Sequence, residues 1–346
     1  KGEHKKIMST QLNIGLIGAG RIGRVHAANL QRRIPNARVI LVADPVEEAA
    51  RRAADDFGIK FAVADYQTVL QSPAVDAVVI CSATHTHATI TMEAAAAGKH
   101  VFCEKPLDFD LGVIDTVLAS VKQAGVKLQM GFNRRFDPTF ARVRQAVVSG
   151  EIGTPHLLHI ISRDPGPPPA AYIKVSGGIF LDMMIHDFDM ARFLLGEEVT
   201  ELYAAAGVLV APEIGALGDL DTALVTLKFA SGAFGVIDNS RKAVYGYDQR
   251  IDLLGSAGGV RTENIHANAV TISTDAAVRR DLPLNFFMER YTESYVIEMQ
   301  ACIDAVLNDS AVPASGEDAR AATALALAAR QSYEENQPVK LTPTGR

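Results

Sequence analysis

The run Asn13–Gly18, NIGLIG, leads directly into Gly18-Ala19-Gly20-Arg21-Ile22-Gly23, and a helical pattern opens at once over Arg21–Arg33. A β-rich run, a glycine turn and a helix in that order begin a right-handed βαβ unit, which commits this part of the chain to a parallel sheet covered by helices. Gly18 allows the tight turn, Gly20 lets the backbone approach a pyrophosphate, and Gly23 lets helix and strand pack closely. The helix N-terminus adds unpaired N–H groups and positive potential. Asp44 ends the second strand, Arg38–Ala43, at the spacing from which a carboxylate reaches both adenosine ribose hydroxyls. The same carboxylate repels a 2′-phosphate, so NAD is expected over NADP. The bland alternative is a glycine-rich turn with a capping aspartate.

The alternation then continues. A helix is expected over Glu47–Phe57, a brief strand near Lys60–Ala62, and a fully apolar strand over Val75–Cys81. A helix over His87–Ala97 stops at Gly98, a strand covers His100–Cys103, a helix Leu111–Ala124, and a last strand Lys127–Gly131. After Phe132 the pattern changes. Strand-like runs at His156–Ser162, Thr200–Val210, Ala223–Phe229, Ala233–Asp238, Arg250–Leu254 and Ala269–Ser273 come without helices between them. The expected architecture is α/β: a Rossmann domain over 11–131, then an α+β domain over 132–346. The second domain holds a large, open, mostly antiparallel sheet with helices on one face. Helices over Glu289–Leu307 and Glu317–Glu334 close the chain, and the last can pack back on the first domain. Asp164–Pro169, DPGPPP, lacks amide donors and reads as a stiff loop.

The chain has 346 residues, enough for two cores, and its formal net charge of −6 with no basic run argues against a nucleic-acid partner. No stretch approaches the roughly 18 apolar residues of a membrane span. Three cysteines without metal-ligand spacing read as free thiols in a reducing, cytoplasmic compartment. The basic start KGEHKKIM has no apolar core and reads as a tag or vector remnant over 1–7 rather than a signal peptide.

Three further segments carry chemistry. Val101–Pro106, VFCEKP, puts Lys105 at the C-terminal end of a parallel strand, where open α/β sheets bind ligands; a surface lysine before a proline turn fits the local sequence equally. Ser176–Leu195, SGGIFLDMMIHDFDMARFLL, reads as one helix with Asp182 and His186 four residues apart on the same face. Asp189, one turn on, is placed to orient the imidazole. A histidine with carboxylate support suits acid–base work near neutral pH, whereas a lone buried histidine is ordinarily satisfied by backbone. His85 and His87 form an HxH pair with no third ligand in view, so no metal is expected; His87 is read as a cap for the following helix, with Ser82–Thr84 lining the cofactor. Asn133-Arg134-Arg135 and Tyr245-Gly246-Tyr247-Asp248 are candidate polar contacts.

With these residues in place the chain resembles the glucose–fructose oxidoreductase/inositol dehydrogenase/MocA family from Gln11 to Leu341. The likeness rests on GAGRIG, EKP, GGIFLDMMIHDFDMARFL and SGEDARAATALALAARQS, and GFNRRFDP and YGYDQR are similar to inositol 2-dehydrogenases. The resemblance implies catalysis by Lys105, Asp182 and His186. It implies cofactor contacts from Gly18, Ala19, Gly20, Arg21, Ile22, Gly23, Asp44, Ser82, Ala83, Thr84, His87, Glu104 and Lys105. Polyol contacts would come from Asn133, Arg134, Asp164, Asp182, His186 and Tyr247. A cis peptide at Lys105–Pro106 and a dimer or tetramer are also implied. Ser162-Arg163-Asp164 departs from the His-Arg-Asn of some inositol dehydrogenases, which leaves the particular polyol open. The expected reaction is NAD-dependent oxidation of a cyclic polyol to a ketone. The alternatives are a pyranose or other sugar dehydrogenase of the same family, and a non-catalytic cofactor-binding sensor.

Overall fold

In a computed structural model of the protein, residues 11–341 are described; the suspected remnant at 1–7 lies outside them. The described residues form two compact units. One runs to Asn133 and takes in Glu293–Arg320; the other holds Arg134–Thr292 and the chain from Ala321 onward.

The first unit alternates strand and helix. Its elements are β1 (Leu12–Ile17), α1 (Arg21–Arg32), β2 (Ala37–Ala43), α2 (Glu47–Phe57), β3 (Phe61–Val63), α3 (Tyr66–Gln71), β4 (Ala77–Ile80), α4 (His87–Ala96), β5 (His100–Glu104), α5 (Leu111–Ala124) and β6 (Leu128–Gly131). The strands pair in the order β3-β2-β1-β4-β5-β6, all parallel. β4 is buried along its whole length, as a strand covered on both faces must be. The chain crosses over from β1 to β2 on one side and to β4 on the other, so the crevice for a ligand opens at the C-terminal ends of β1 and β4. Helix α3 was not expected. Its signal is local: Asp65 caps it by accepting from the Gln67 N–H.

The second unit begins with α6 (Pro138–Val148), β7 (Pro155–Arg163), α7 (Ala170–Ile173), α8 (Gly178–Asp182), α9 (Ile185–Leu195), β8 (Val199–Gly207), α10 (Pro212–Ala216) and β9 (Thr222–Phe229). It continues with β10 (Phe234–Ser240), β11 (Asp248–Gly255), β12 (Gly258–Arg261), β13 (Thr271–Ser273), β14 (Val278–Arg280) and α11 (Phe287–Arg290). The chain closes with α12 (Thr292–Leu307), α13 (Gly316–Glu335) and β15 (Val339–Lys340). Seven strands make an open sheet in the order β12-β11-β7-β10-β9-β8-β15, antiparallel except for the parallel pair β7 and β10. One face is apolar and buried, with Leu158, Ile160, Val225, Leu227, Ile237, Ile251 and Leu253 pointing into the core. The opposite face carries exposed Leu157, Leu224, Phe234 and Leu254.

Four expectations need correction. Helices α7, α8 and α9 lie between β7 and β8 and α10 between β8 and β9, where, apart from Ser176–Leu195, no helix was expected. The run expected as a sheet strand at Ala269–Ser273 is β13, which pairs only with β14 in a separate hairpin. The helix expected over Glu289–Leu307 is two, α11 and α12, broken at Tyr291. α12 carries Met299, Cys302 and Ile303 into the core of the first unit. Helix α6 was not expected although its signal is strong: Asp137 caps it through the Thr139 and Phe140 N–H groups, and Pro138 fills its first turn.

Candidate active site

The glycine turn is shaped by two close approaches. Gly18 has φ 100°, and a Cβ there would lie 2.5 Å from the Cys81 carbonyl. A Cβ at Gly23 would lie 1.9 Å from the Gly18 oxygen. At Gly20, by contrast, a Cβ would meet nothing within 4 Å, so the space in front of the α1 N-terminus is left for a phosphate. Asp44 follows β2, and its Oδ2 accepts from the Ala19 N–H at 2.8 Å while Oδ1 accepts from the Val46 N–H at 2.9 Å. The carboxylate is thus fixed beside the turn, with lone pairs remaining on both oxygens for ribose hydroxyls. Turn, helix end and carboxylate fit a dinucleotide.

Ser82, Ala83 and Thr84 leave β4 at the same edge of the sheet, and Lys105 leaves β5 there. The Lys105–Pro106 peptide is cis. Two residues expected at the cofactor have protein partners. Glu104 Oε1 lies 2.8 Å from Nε2 of fully buried His26 on α1, a pairing no sequence spacing announced. His87 does not cap α4: it lies inside the first turn, and its ring joins two carbonyls. Nδ1 is 2.8 Å from Pro106 O and Nε2 is 3.0 Å from Ser82 O. Carbonyl oxygens only accept, so both nitrogens must donate and the ring is an imidazolium. Burial alone would lower its pKa; the Cys103 sulfur and the two carbonyls outweigh it and raise the value to about 9.

In the second unit the expected single helix is broken. The Met184 N–H bonds Ile179 O, five residues back, which closes α8 at Asp182 and restarts the ladder as α9. The relative direction of Asp182 and His186 is therefore set by this break and not by regular helical spacing. His186 is half-buried. Asp182 Oδ1 accepts from the Tyr172 hydroxyl at 2.7 Å and Oδ2 from Arg241 Nη1 at 3.3 Å. Asp189 was expected to orient the imidazole. Its two oxygens receive Arg135, from Nε at 2.8 Å and Nη2 at 2.5 Å. Arg134 is buried against Asp187 at 2.5 Å and Ser162 at 3.2 Å. The DxD of α9 is thus the partner of the Arg-Arg pair, a relation that local spacing does not record.

The remaining expected substrate residues are placed as follows. Asp164, half-buried in the loop after β7, is pushed up to about 6 by burial, against the pull of Arg241 and Arg134. Tyr247 is buried and packs edge-on to Tyr291 at 6.0 Å. Asn133 ends the first unit, 4% exposed, and its Nδ2 has no hydrogen-bond partner among the described residues. A buried amide left without an acceptor is costly unless a ligand supplies one.

Comparison with known proteins gives a consistent result. Residues 12–132 match the model of an oxidoreductase family with an NAD-binding Rossmann fold, and residues 140–261 match the GFO/IDH/MocA C-terminal domain. The chain is 48% identical to a myo-inositol 2-dehydrogenase of Thermotoga maritima over 95% of its own length and 98% of the relative. It is 46% identical to an inositol 2-dehydrogenase of Rhizobium meliloti, over 95% and 99%. A crystal structure of scyllo-inositol dehydrogenase from Lactobacillus casei with bound NAD(H) and scyllo-inositol superposes with a TM-score of 0.89 at 30% identity, over 95% and 99% of the two chains.

Proposed function

Because this chain belongs to the Gfo/Idh/MocA family of NAD-binding oxidoreductases, we propose that it oxidises one secondary alcohol of a cyclic polyol to the ketone. The polyol is myo-inositol or an isomer such as scyllo-inositol, and the product an inosose. The observation that carries this is the near-full-length identity of 48% to a protein with that activity in its name, with Lys105, Asp182 and His186 all present.

NAD supplies hydride acceptance when bound. The rest belongs to the chain. His186 takes the hydroxyl proton, and Lys105 donates a hydrogen bond to the same oxygen and stabilises its developing negative charge. Asp182, with an acceptor oxygen steadied by Tyr172 and another by Arg241, holds a neighbouring hydroxyl. Asp164, Asn133, Arg134 and Tyr247 supply further polar recognition, Arg134 by way of its fixed place beside Asp187 and Ser162. On the cofactor side, Gly18–Gly23 and Asp44 hold the phosphates and ribose, Ser82–Thr84 line the nicotinamide half, and His87 and Glu104 brace the turns from which these groups project.

The same reading makes the protein a homo-oligomer acting in the cytoplasm. Leu254, Leu157 and Phe234 stand side by side on the uncovered sheet face, and the three cysteines are unpaired. Among the described residues no helix is long and apolar enough to cross a membrane.

The test is turnover of NAD with a panel of inositol isomers and pyranoses, alongside His186→Ala. Oxidation of at least one inositol in preference to the pyranoses, with a loss of about 10²–10⁴ in rate for the variant, is the expected result. Preference for a pyranose supports the sugar-dehydrogenase alternative. Full activity in the variant removes His186 from the proton-transfer role.

A further inference from the structure

Arg241 follows the last residue of β10 and is only 1% exposed, the largest side chain among the fully buried ones. A guanidinium in such a place is costly unless its neighbours are anions. Its Nη1 donates to Asp182 Oδ2 at 3.3 Å and its Nη2 to Asp219 Oδ2 at 3.1 Å. Asp219, just before β9, does a second thing: its Oδ1 accepts from the Ile179 N–H at 2.9 Å, in the first turn of α8. Helix α8 is therefore held at both ends by one connected unit. Asp219 holds the backbone of its start, and Arg241, gripped by Asp219, holds the side chain of Asp182 at its end. Tyr172 from α7 meets the other oxygen of Asp182.

The charge around this unit is lopsided. Asp164 after β7, Asp182 on α8 and Asp219 before β9 face Arg241 and the neutral Tyr172 hydroxyl, with the Arg134–Asp187 pair nearby. Arg241 bonds two of these carboxyls, and the third, Asp164, feels both Arg241 and Arg134. A five-residue helix followed by a break has little rigidity of its own, so the direction of Asp182 depends on this clamp.

We infer that Arg241 is a positioning residue: its buried guanidinium fixes where the Asp182 carboxylate points and places a cation near Asp164, whose N–H bonds the Ser240 carbonyl just before Arg241. The inference rests on the reading of Asp182 as a substrate-facing group. Arg241 acts through Asp182.

The experiment compares wild type, Arg241→Gln and Arg241→Lys by three measurements. Steady-state kinetics on the preferred polyol should show kcat falling about 10²-fold in Arg241→Gln, the usual cost of a misdirected group, and recovering partly in Arg241→Lys. NADH affinity, read from cofactor fluorescence, should stay unchanged. Carbon-13 titration of labelled aspartates, with Asp164 assigned through Asp164→Asn, should place Asp164 near 6 in wild type and higher in Arg241→Gln, because the stronger of the two cations that pull it down is gone. If Arg241→Gln does not fold, Arg241→Lys decides: reduced kcat with unchanged NADH affinity supports the inference, and wild-type kcat overturns it. An unchanged Asp164 midpoint in folded Arg241→Gln also overturns it. That midpoint is measured without turnover. A wild type inert toward every polyol therefore sinks the dehydrogenase reading, while the titration still decides the role of Arg241.

Discussion

Asp44 shows what a single side chain can decide. Its carboxylate is fixed by the N–H groups of Ala19 and Val46, one on each oxygen, so it stands beside the glycine turn in one orientation. A phosphate on the ribose would meet that negative charge at close range. Asp44→Ser should therefore raise kcat/KM with NADP and lower it with NAD, narrowing the preference by at least about tenfold, the effect of roughly 1.4 kcal/mol. Parallel kinetics with the two cofactors checks this, and an unchanged ratio removes Asp44 from cofactor choice. At this scale the sequence was most legible where a residue's role is set by its immediate neighbours in the chain. Gly18 and Gly23 are close to other backbone for the reason their spacing implied. The bond of Asp189 to Arg135, 54 positions away, was not legible, because nothing local pointed to it.

Elements were legible where they obey a period. The parallel strands of the first unit and the main strands of the second lie close to where alternation and apolar runs placed them. Breaks were not legible. Residues Ser176–Leu195 keep a helical pattern throughout, yet the bond from Met184 N–H to Ile179 O divides them into α8 and α9. Each half satisfies its own contacts, and composition does not register a one-residue slip in the ladder. His87 is a second case, in which a helix start is tied to two loops. Its folded-state pKa, about 9, lies above the ordinary 6.5. The charged ring thus contributes stability that is fully present below about pH 6.5 and lost as pH rises through about 9, on the order of 3 kcal/mol in all. His87→Gln, whose one amide nitrogen reaches only one of the two carbonyls, should lower the melting temperature most at pH 6. The gap to wild type should close by pH 9.5. A gap that stays constant across that range would show that the ring is not held charged.

For the whole molecule, the second unit leaves one sheet face bare. Leu254, Leu157 and Phe234 are 51%, 47% and 57% exposed and adjacent in register on β11, β7 and β10. A contiguous apolar row on a sheet whose other face is fully packed marks an interaction surface, and the proposed homo-oligomer accounts for it. Phe234→Asp should shift the protein toward monomer in sedimentation velocity without loss of helix content. An unaltered sedimentation coefficient would place the subunit contact elsewhere.

The amino-acid order alone determined the local grammar of this protein: a glycine turn between strand and helix, an aspartate at the end of the next strand, apolar runs long enough for buried strands, and the residue types for alcohol oxidation. These follow from interactions between near neighbours, which spacing encodes. The folded chain alone decided which charge meets which. Arg134 with Asp187, Arg135 with Asp189 and Arg241 with Asp182 and Asp219 are pairs brought together from more than twenty positions apart. A buried charge takes the counter-charge that packing sets beside it, and no periodicity in the chain records that choice.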